Sequence, residues 1–536
     1  MSEMIFNPLE DFEQKYKSLH LDNTNQYLND LVQKSGVNIE QNRATVKQHD
    51  EYKESLVKLR RKYNWLRFLR VIMCITIVLI PLVILKTTPR IQALRAEIAD
   101  GDRKVAELLA EAQRQMHPLN CLFTDRDALN LIEKTMPLMA FENCFSAKQE
   151  ADMTINYNFC GNNDSEQSTL DVLAGHYNEN PFLFENRLIH TMGTETYHGY
   201  KTIFWTETYT DSEGHVRTRT RSQTLHASVV KPKPYYNTQV VLHYCAQGGP
   251  ELSFSRSATH LEEKSDKEIE RYVKRGEKQL KKMTDKAIKG GTDFMSMSNS
   301  QFEVLFNALD RNHEVQFRSL FTPLAQTNMV SLIRSKAGYG DDFAFVKYNR
   351  SNKIVTEHSQ GRVINLQAGQ YMSYSFDVIR DSFVNKNADF FKAVYFDFAP
   401  LLAIPVYQER PVHSLQPIPD FAQRYSLQEC EALANAIDTA YVVHPDTKTQ
   451  AILKSQYVGT HNGVDETRIT AYSYDIALRV DFIPVLGGDG RLHTVPVEWN
   501  EYLPLEAYNH FYVATAQAAP NQNTIANRNG LCMFSL

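Results

Sequence analysis

Hydrophobic positions along this chain change period several times, and each change marks a boundary. Residues 1–65 are polar, with sparse apolar side chains at helical spacing (Phe12, Tyr16, Leu19, Tyr27, Leu28, Leu31, Val32) and a break at Ser35 and Gly36. That spacing predicts two or three helices, the last beginning near Asn42. Over residues 71–85 the polar positions vanish in the run VIMCITIVLIPLVIL. Its 15 residues fall short of a bilayer crossing, but a helix starting at Leu66 reaches the roughly 20 residues that a crossing needs. Trp65 and Tyr63 then fall at the interface, with Arg67 and Arg70 able to extend to headgroups. A single transmembrane helix over residues 66–86 is the expectation. Lys and Arg number six within 56–70 and three within 86–100. The positive-inside bias therefore puts the N-terminal region in the cytoplasm and the C-terminal region outside the cell membrane.

Beyond the run, Thr88 and Pro89 open a helix in which Ile91, Leu94, Ile98, Gly101, Val105, Leu108 and Ala112 recur in alternating steps of three and four. This heptad seam predicts a helical stalk or short coiled coil over 88–117 that self-associates, or an amphipathic helix packed on the rest of the chain. Strand signals dominate the next region, 118–258. Residues 201–210 and 215–230 are rich in Thr, Val and aromatics around Asp211-Ser-Glu-Gly214, a hairpin pattern. If Thr210 faces His215, one face carries Ile203, Trp205, Tyr209 and Val216. The other carries Thr206 and Thr208 opposite Arg217, Arg219 and Arg221. Residues 259–291 read as a charged connecting helix, opened by the capping box Thr259-His-Leu-Glu262 and running from acidic to basic. Residues 292–420 continue the mixed region, with a hairpin of 342–348 and 353–356. Residues 421–536 are β-rich, with a helix over 427–439, strands over 469–484 and 493–499, and a polar tail at 517–530 expected to be mobile. The predicted fold class is α+β: N-terminal helices, one transmembrane helix, a short helical stalk, and a mixed, largely antiparallel sheet-and-helix soluble region.

Composition narrows the function without naming it. The 536 residues carry a net charge of −5, and neither side of the apolar run is basic enough to suggest a nucleic-acid partner, so none is expected. Seven cysteines are scattered without a C-x-x-C pair, so no metal or redox motif is present. Phosphate-binding loops, G-x-S-x-G and H-E-x-x-H are all missing, and no catalytic residue or cofactor follows from a motif. Two constellations remain. Arg217, Arg219 and Arg221, at about 7 Å intervals along a strand, could bind phosphate, carboxylate or anionic headgroups, although an Arg/Thr face also suits the solvent side of a hairpin. His190, Glu195 and His198 could gather as a metal or acid–base site, although isolated histidines explain them equally simply.

Three stretches, KTIFWTETYTDSEGHVRTRTRSQTLHASV at 201–229, EVQFRSLFTPLAQTNMVSLI at 314–333 and FDFAPLLAIPVYQ at 396–408, resemble a group of uncharacterised bacterial single-pass membrane-anchored proteins with no assigned activity. The resemblance covers roughly residues 118–410 and implies only an anchor followed by a mixed soluble region. The expected function is a membrane-anchored binding or scaffold protein, in contact with the lipid bilayer through 66–86 and with another copy through 88–117. The alternative is a membrane-tethered hydrolase, possibly metal-dependent, built on His190, Glu195 and His198.

Overall fold

A computed structural model describes residues 4–75, 87–161, 164–290, 296–336, 338–412, 416–418, 424–461, 464–514 and 532–534. The chain divides into two units. One comprises Glu10–Pro137 and Asn365–Tyr395; the other comprises Met1–Leu9, Leu138–Ile364 and Phe396–Leu536. The helix Phe376–Leu402 belongs in part to each.

The first unit is helical. Helix Lys17–Ser35 ends at Gly36, whose φ of 64° is the left-handed C-cap that glycine adopts without strain. Helices Ile39–Ile75 and Thr88–Asn120 follow. They run antiparallel and in contact: Arg60 pairs with Asp102 at 2.8 Å, and Gln115 donates to Thr45 at 3.1 Å. Gly101, which interrupts the heptad seam, is where Leu56 fits, since a Cβ there would lie 2.5 Å from Leu56 Cδ2. Aromatic packing closes the unit, with Phe12 on Tyr395, His20 on Phe391 and Phe123 on Phe383.

This arrangement corrects the membrane expectation. No helix among the described residues is long and apolar enough to cross a membrane. Residues 66–75 are the last turns of the polar helix Ile39–Ile75, while 76–86 lie outside the described residues. A single pass needs the two flanks of the apolar run on opposite sides of the bilayer, whereas Arg60 and Asp102 hold them side by side. The transmembrane, single-pass assignment is withdrawn, and with it the cell-membrane localisation with a cytoplasmic N-terminus and an extracytoplasmic C-terminal region. Fifteen apolar residues flanked by arginines carried too much of that reading. The tail at 517–530 also lies outside the described residues.

The second unit is built on antiparallel sheets, as the α+β reading expected. Strands β1 (Met139–Phe141), β2 (Gln167–Tyr177), β3 (Asn180–Thr210), β4 (Val216–Cys245), β5 (Ser253–Arg256), β6 (Phe343–Tyr348) and β7 (Ser351–Thr356) form one sheet in the order β1-β2-β3-β4-β7-β6-β5. A second sheet has the order β11-β10-β9-β8, from β8 (Ile452–His461), β9 (Val464–Leu486), β10 (Leu492–Ala514) and β11 (Cys532–Phe534). Phe398 anchors the first sheet, its ring edge-on to Phe182, Phe184 and Tyr244. The second sheet closes over Leu183, Cys245 and two helices, Ala147–Tyr157 and Leu427–Ala436, through Met153, Leu433, Leu453, Ile469 and Phe511.

Strands β3–β4 and β9–β10 run far beyond these cores, and the two hairpins stack. Ile203, Leu225, Ala227, Val495 and Val497 form a small buried cluster between them. Gly199 permits this approach, because a Cβ there would collide with the Pro496 carbonyl. Thr210 pairs with Val216, not His215. This one-residue slip moves Arg217, Arg219 and Arg221 onto the face of Trp205 and Tyr209, because side-chain direction alternates with period two. The charged helix is Asp266–Gly290, and Ser265 with Glu268 caps it. Thr259 bonds Asp341 instead.

Candidate functional site

Two helix starts meet beside the second sheet. Ser146 and Gln149 form a reciprocal capping box at the head of helix Ala147–Tyr157, and the Ser426 hydroxyl accepts from Glu429 N at 3.1 Å at the head of helix Leu427–Ala436. The two caps are tied together. Ser146 and Tyr425 form a β-bridge, Ala147 N donates to the Arg424 carbonyl at 2.9 Å, and Phe145 N donates to the Glu429 carboxylate at 2.8 Å.

These ties leave a cavity of about 580 Å³ between the helices and strands β8 and β9. Ala147, Ala151, Ile155, Phe159, Leu427, Cys430 and the Tyr457 ring give it apolar walls; Glu150, Arg424 and Asp465 bring the charged groups. The Arg424 guanidinium lies 4.0 Å from the centre of the Tyr457 ring. Asp465 is buried, and its Oδ1 accepts from Thr460 Oγ1 at 2.5 Å. Burial raises the Asp465 carboxyl above its ordinary range, against the opposing effects of the Thr460 hydroxyl, the Arg424 charge and a hydrogen bond from the Tyr425 backbone. Glu150 is raised for the same first reason, opposed by a hydrogen bond from Gln428. Burial pushes the Cys430 thiol up to about 12, so this cysteine is an inert wall group and not a nucleophile. The arrangement suits recognition: an apolar chamber of ligand size with a few polar groups that fix orientation.

A second cleft, of about 610 Å³, opens between the two sheets and is lined by Glu166, His190, Tyr236, Tyr472, Ser473 and Tyr474 among others. His190 Nδ1 bonds the Glu166 carboxylate, and its backbone N donates to the Glu166 carbonyl at 2.8 Å. The imidazole lies between the rings of Tyr236 and Tyr474, at 5.3 and 5.5 Å. Its Nε2 is buried without a hydrogen-bond partner.

The histidine constellation read from sequence is not brought together. His190 and His198 are eight residues apart on one strand, about 26 Å at strand rise. Glu195 points to the opposite face and pairs with Lys233 at 2.6 Å. His198 stacks on His226, with Nδ1 2.9 Å from the partner Nε2. The arginine row is in part engaged: Arg221 pairs with Glu207 at 2.5 Å and Arg217 with Asp211 at 2.7 Å. Among the described residues, Asp211, Glu213 and His215 bring possible ligand atoms together at that hairpin turn, but Asp211 already serves Arg217.

No protein-family model, curated protein or solved structure matches this chain. Glu150, Arg424 and Asp465 were not singled out from sequence. They come from three separate segments, and none belongs to a motif. Only Ser146 and Ser426, cap residues ahead of short helices, carried a local signal.

Proposed function

We propose that this protein binds a small organic cation with an apolar body in the cavity between helices Ala147–Tyr157 and Leu427–Ala436. The observation that carries this reading is the charge of the cavity wall, where two buried carboxyls, Asp465 and Glu150, stand against one guanidinium, that of Arg424. One guanidinium does not balance two buried carboxylates, and a ligand ammonium supplies a further hydrogen-bond donor and the second positive charge. Glu150 adds a second carboxyl to the same chamber, and the single cation, Arg424, lies over Tyr457. A volume of about 580 Å³ accepts a drug-sized molecule.

The test is a fluorescence titration of the full chain with dansylcadaverine, a primary alkylammonium that carries an aromatic dansyl group, beside anilinonaphthalene sulfonate, an anionic dye of similar size. The amine should bind in preference. Asp465→Asn should weaken it roughly 10- to 100-fold, the worth of one charge-assisted hydrogen bond. Equal binding of both dyes, or unchanged amine affinity in Asp465→Asn and Glu150→Gln, would overturn the reading.

A further inference from the structure

The stacked hairpins invert the usual sheet pattern, in which charge faces solvent and apolar side chains face the partner layer. Odd-numbered positions lie on the side of the partner hairpin, where Lys231 pairs with Asp481 at 2.7 Å, Lys233 with Glu195 and Arg479 with Glu501 at 2.7 Å, although Arg479, Arg217, Arg219 and Arg221 stay exposed. Lys231 also lies 4.0 Å from the centre of the Trp499 ring. Even-numbered positions point outward. On the first hairpin, 194–210 and 216–232 supply eighteen such positions, all exposed, and none is Asp, Glu, Lys or Arg. An ordinary surface would place roughly five or six charges there. The face is instead threonine, serine and histidine, with Tyr200 against His226 and with Phe204, Val216 and Val230 exposed; Phe204 is 72% exposed.

The outer face of the second hairpin is more apolar still. Leu478, Val480, Phe482, Pro484 and Leu486 lie along β9, and Leu486 is opposite Leu492 on β10. Phe482 is 67% and Leu492 72% exposed. Over 478–486 and 492–500, Glu498 is the single charged outward residue. Contiguous exposed apolar surface of this kind marks an interaction site. The edges of these hairpins are blunted, since Pro232, Pro234, Pro484 and Pro496 lack the N–H that edge pairing would need. Association is thereby directed to the faces.

We propose that the occupant is a second copy of this chain, with the outer face of β9–β10 of one copy packing on the outer face of β3–β4 of the next. The two faces lie on opposite sides of one pair of hairpins, so every copy carries both halves of the contact. Neither half desolvates more than one ion when they meet, and the added layer repeats the roughly 10 Å sheet-on-sheet spacing. A patch nine residues long and two strands wide covers roughly 300 Å² in projection. That lies below the roughly 800 Å² per partner of a standard specific interface, so a single contact is weak and assembly is reversible and concentration-dependent. The contact is heterologous, and it closes into rings or runs on as a filament.

Sedimentation velocity of the full chain from low to high micromolar concentration tests this. The parent chain should grow beyond the monomer, while Phe482→Asp and Phe204→Asp, each at an exposed position, should sediment as monomers with unchanged circular dichroism. Mixing the two variants should restore a dimer and nothing larger, because each retains the face that the other lacks. A parent chain that stays monomeric overturns the proposal. So does a Phe204→Asp variant that assembles alone, which would mean that β9–β10 faces meet each other.

Discussion

Raising the pH from 6 to 10 should remove a defined part of the stability of the β-sheet unit through one residue, His358. Its Nδ1 lies 2.5 Å from Asp342 Oδ2 and its Nε2 3.3 Å from Asp397 Oδ1, and its ring stacks on Tyr339 at 3.7 Å. Burial works against a charged imidazole here, but the hydrogen bonds and negative charges of Asp342 and Asp397 outweigh it and raise His358 from 6.5 to about 9. A folded-state value above the unfolded one means that stability is fully present below about 6.5 and is lost as pH rises through about 9. The linkage relation gives roughly 3 kcal/mol at pH 6, roughly 1.4 at pH 8 and almost nothing at pH 10. His358→Gln keeps a hydrogen-bonding group but cannot carry the charge. Urea unfolding of parent and variant at each pH should show curves far apart at pH 6 that converge by pH 10. A constant gap, or none at pH 6, would refute a charged His358 in the native state.

The helical unit should respond to pH in the opposite sense. His20, hydrogen-bonded to Thr135 and to the Asn387 carbonyl, is lowered by burial to about 4, so its contribution is intact above about 6.5 and is lost as pH falls. Thermal unfolding at pH 5 should cost the parent about 2 kcal/mol that His20→Gln does not lose. Gly199→Ala should destabilise the stacked hairpins by roughly 1–3 kcal/mol, because its Cβ meets the Pro496 carbonyl, which is backbone and cannot rotate aside. An unchanged melting temperature would show that the hairpins separate freely.

The parts of the fold that could be read in advance were those whose cause is local. The hairpin of β6 and β7, the turn of Gly487 to Gly490 and the start of the helix at Leu427 appear where turn glycines, asparagines and cap residues put them. The β3–β4 hairpin was expected, but its register was set one residue away, and that reversed the face on which the arginines stand. The charged helix began at Ser265 because the side chain of Thr259 was claimed by Asp341, a partner 82 residues away. The apolar run misled for a related reason. Its meaning depended on whether the flanking helices lie together, and the Arg60–Asp102 pair shows that they do.

Period, capping and turn chemistry determined that this chain is α+β with antiparallel hairpins, because each depends on residues within a few positions of one another. Only the tertiary structure decided which side chains share a cavity. Glu150, Arg424 and Asp465 meet because two capped helix starts are bridged beside β9, and His190 finds Glu166 instead of His198 because a strand holds residues eight apart at a fixed distance. The apolar outer faces of the hairpins were likewise written in the alternation of residues. Which face lay outside was settled by the stacking of one hairpin on the other.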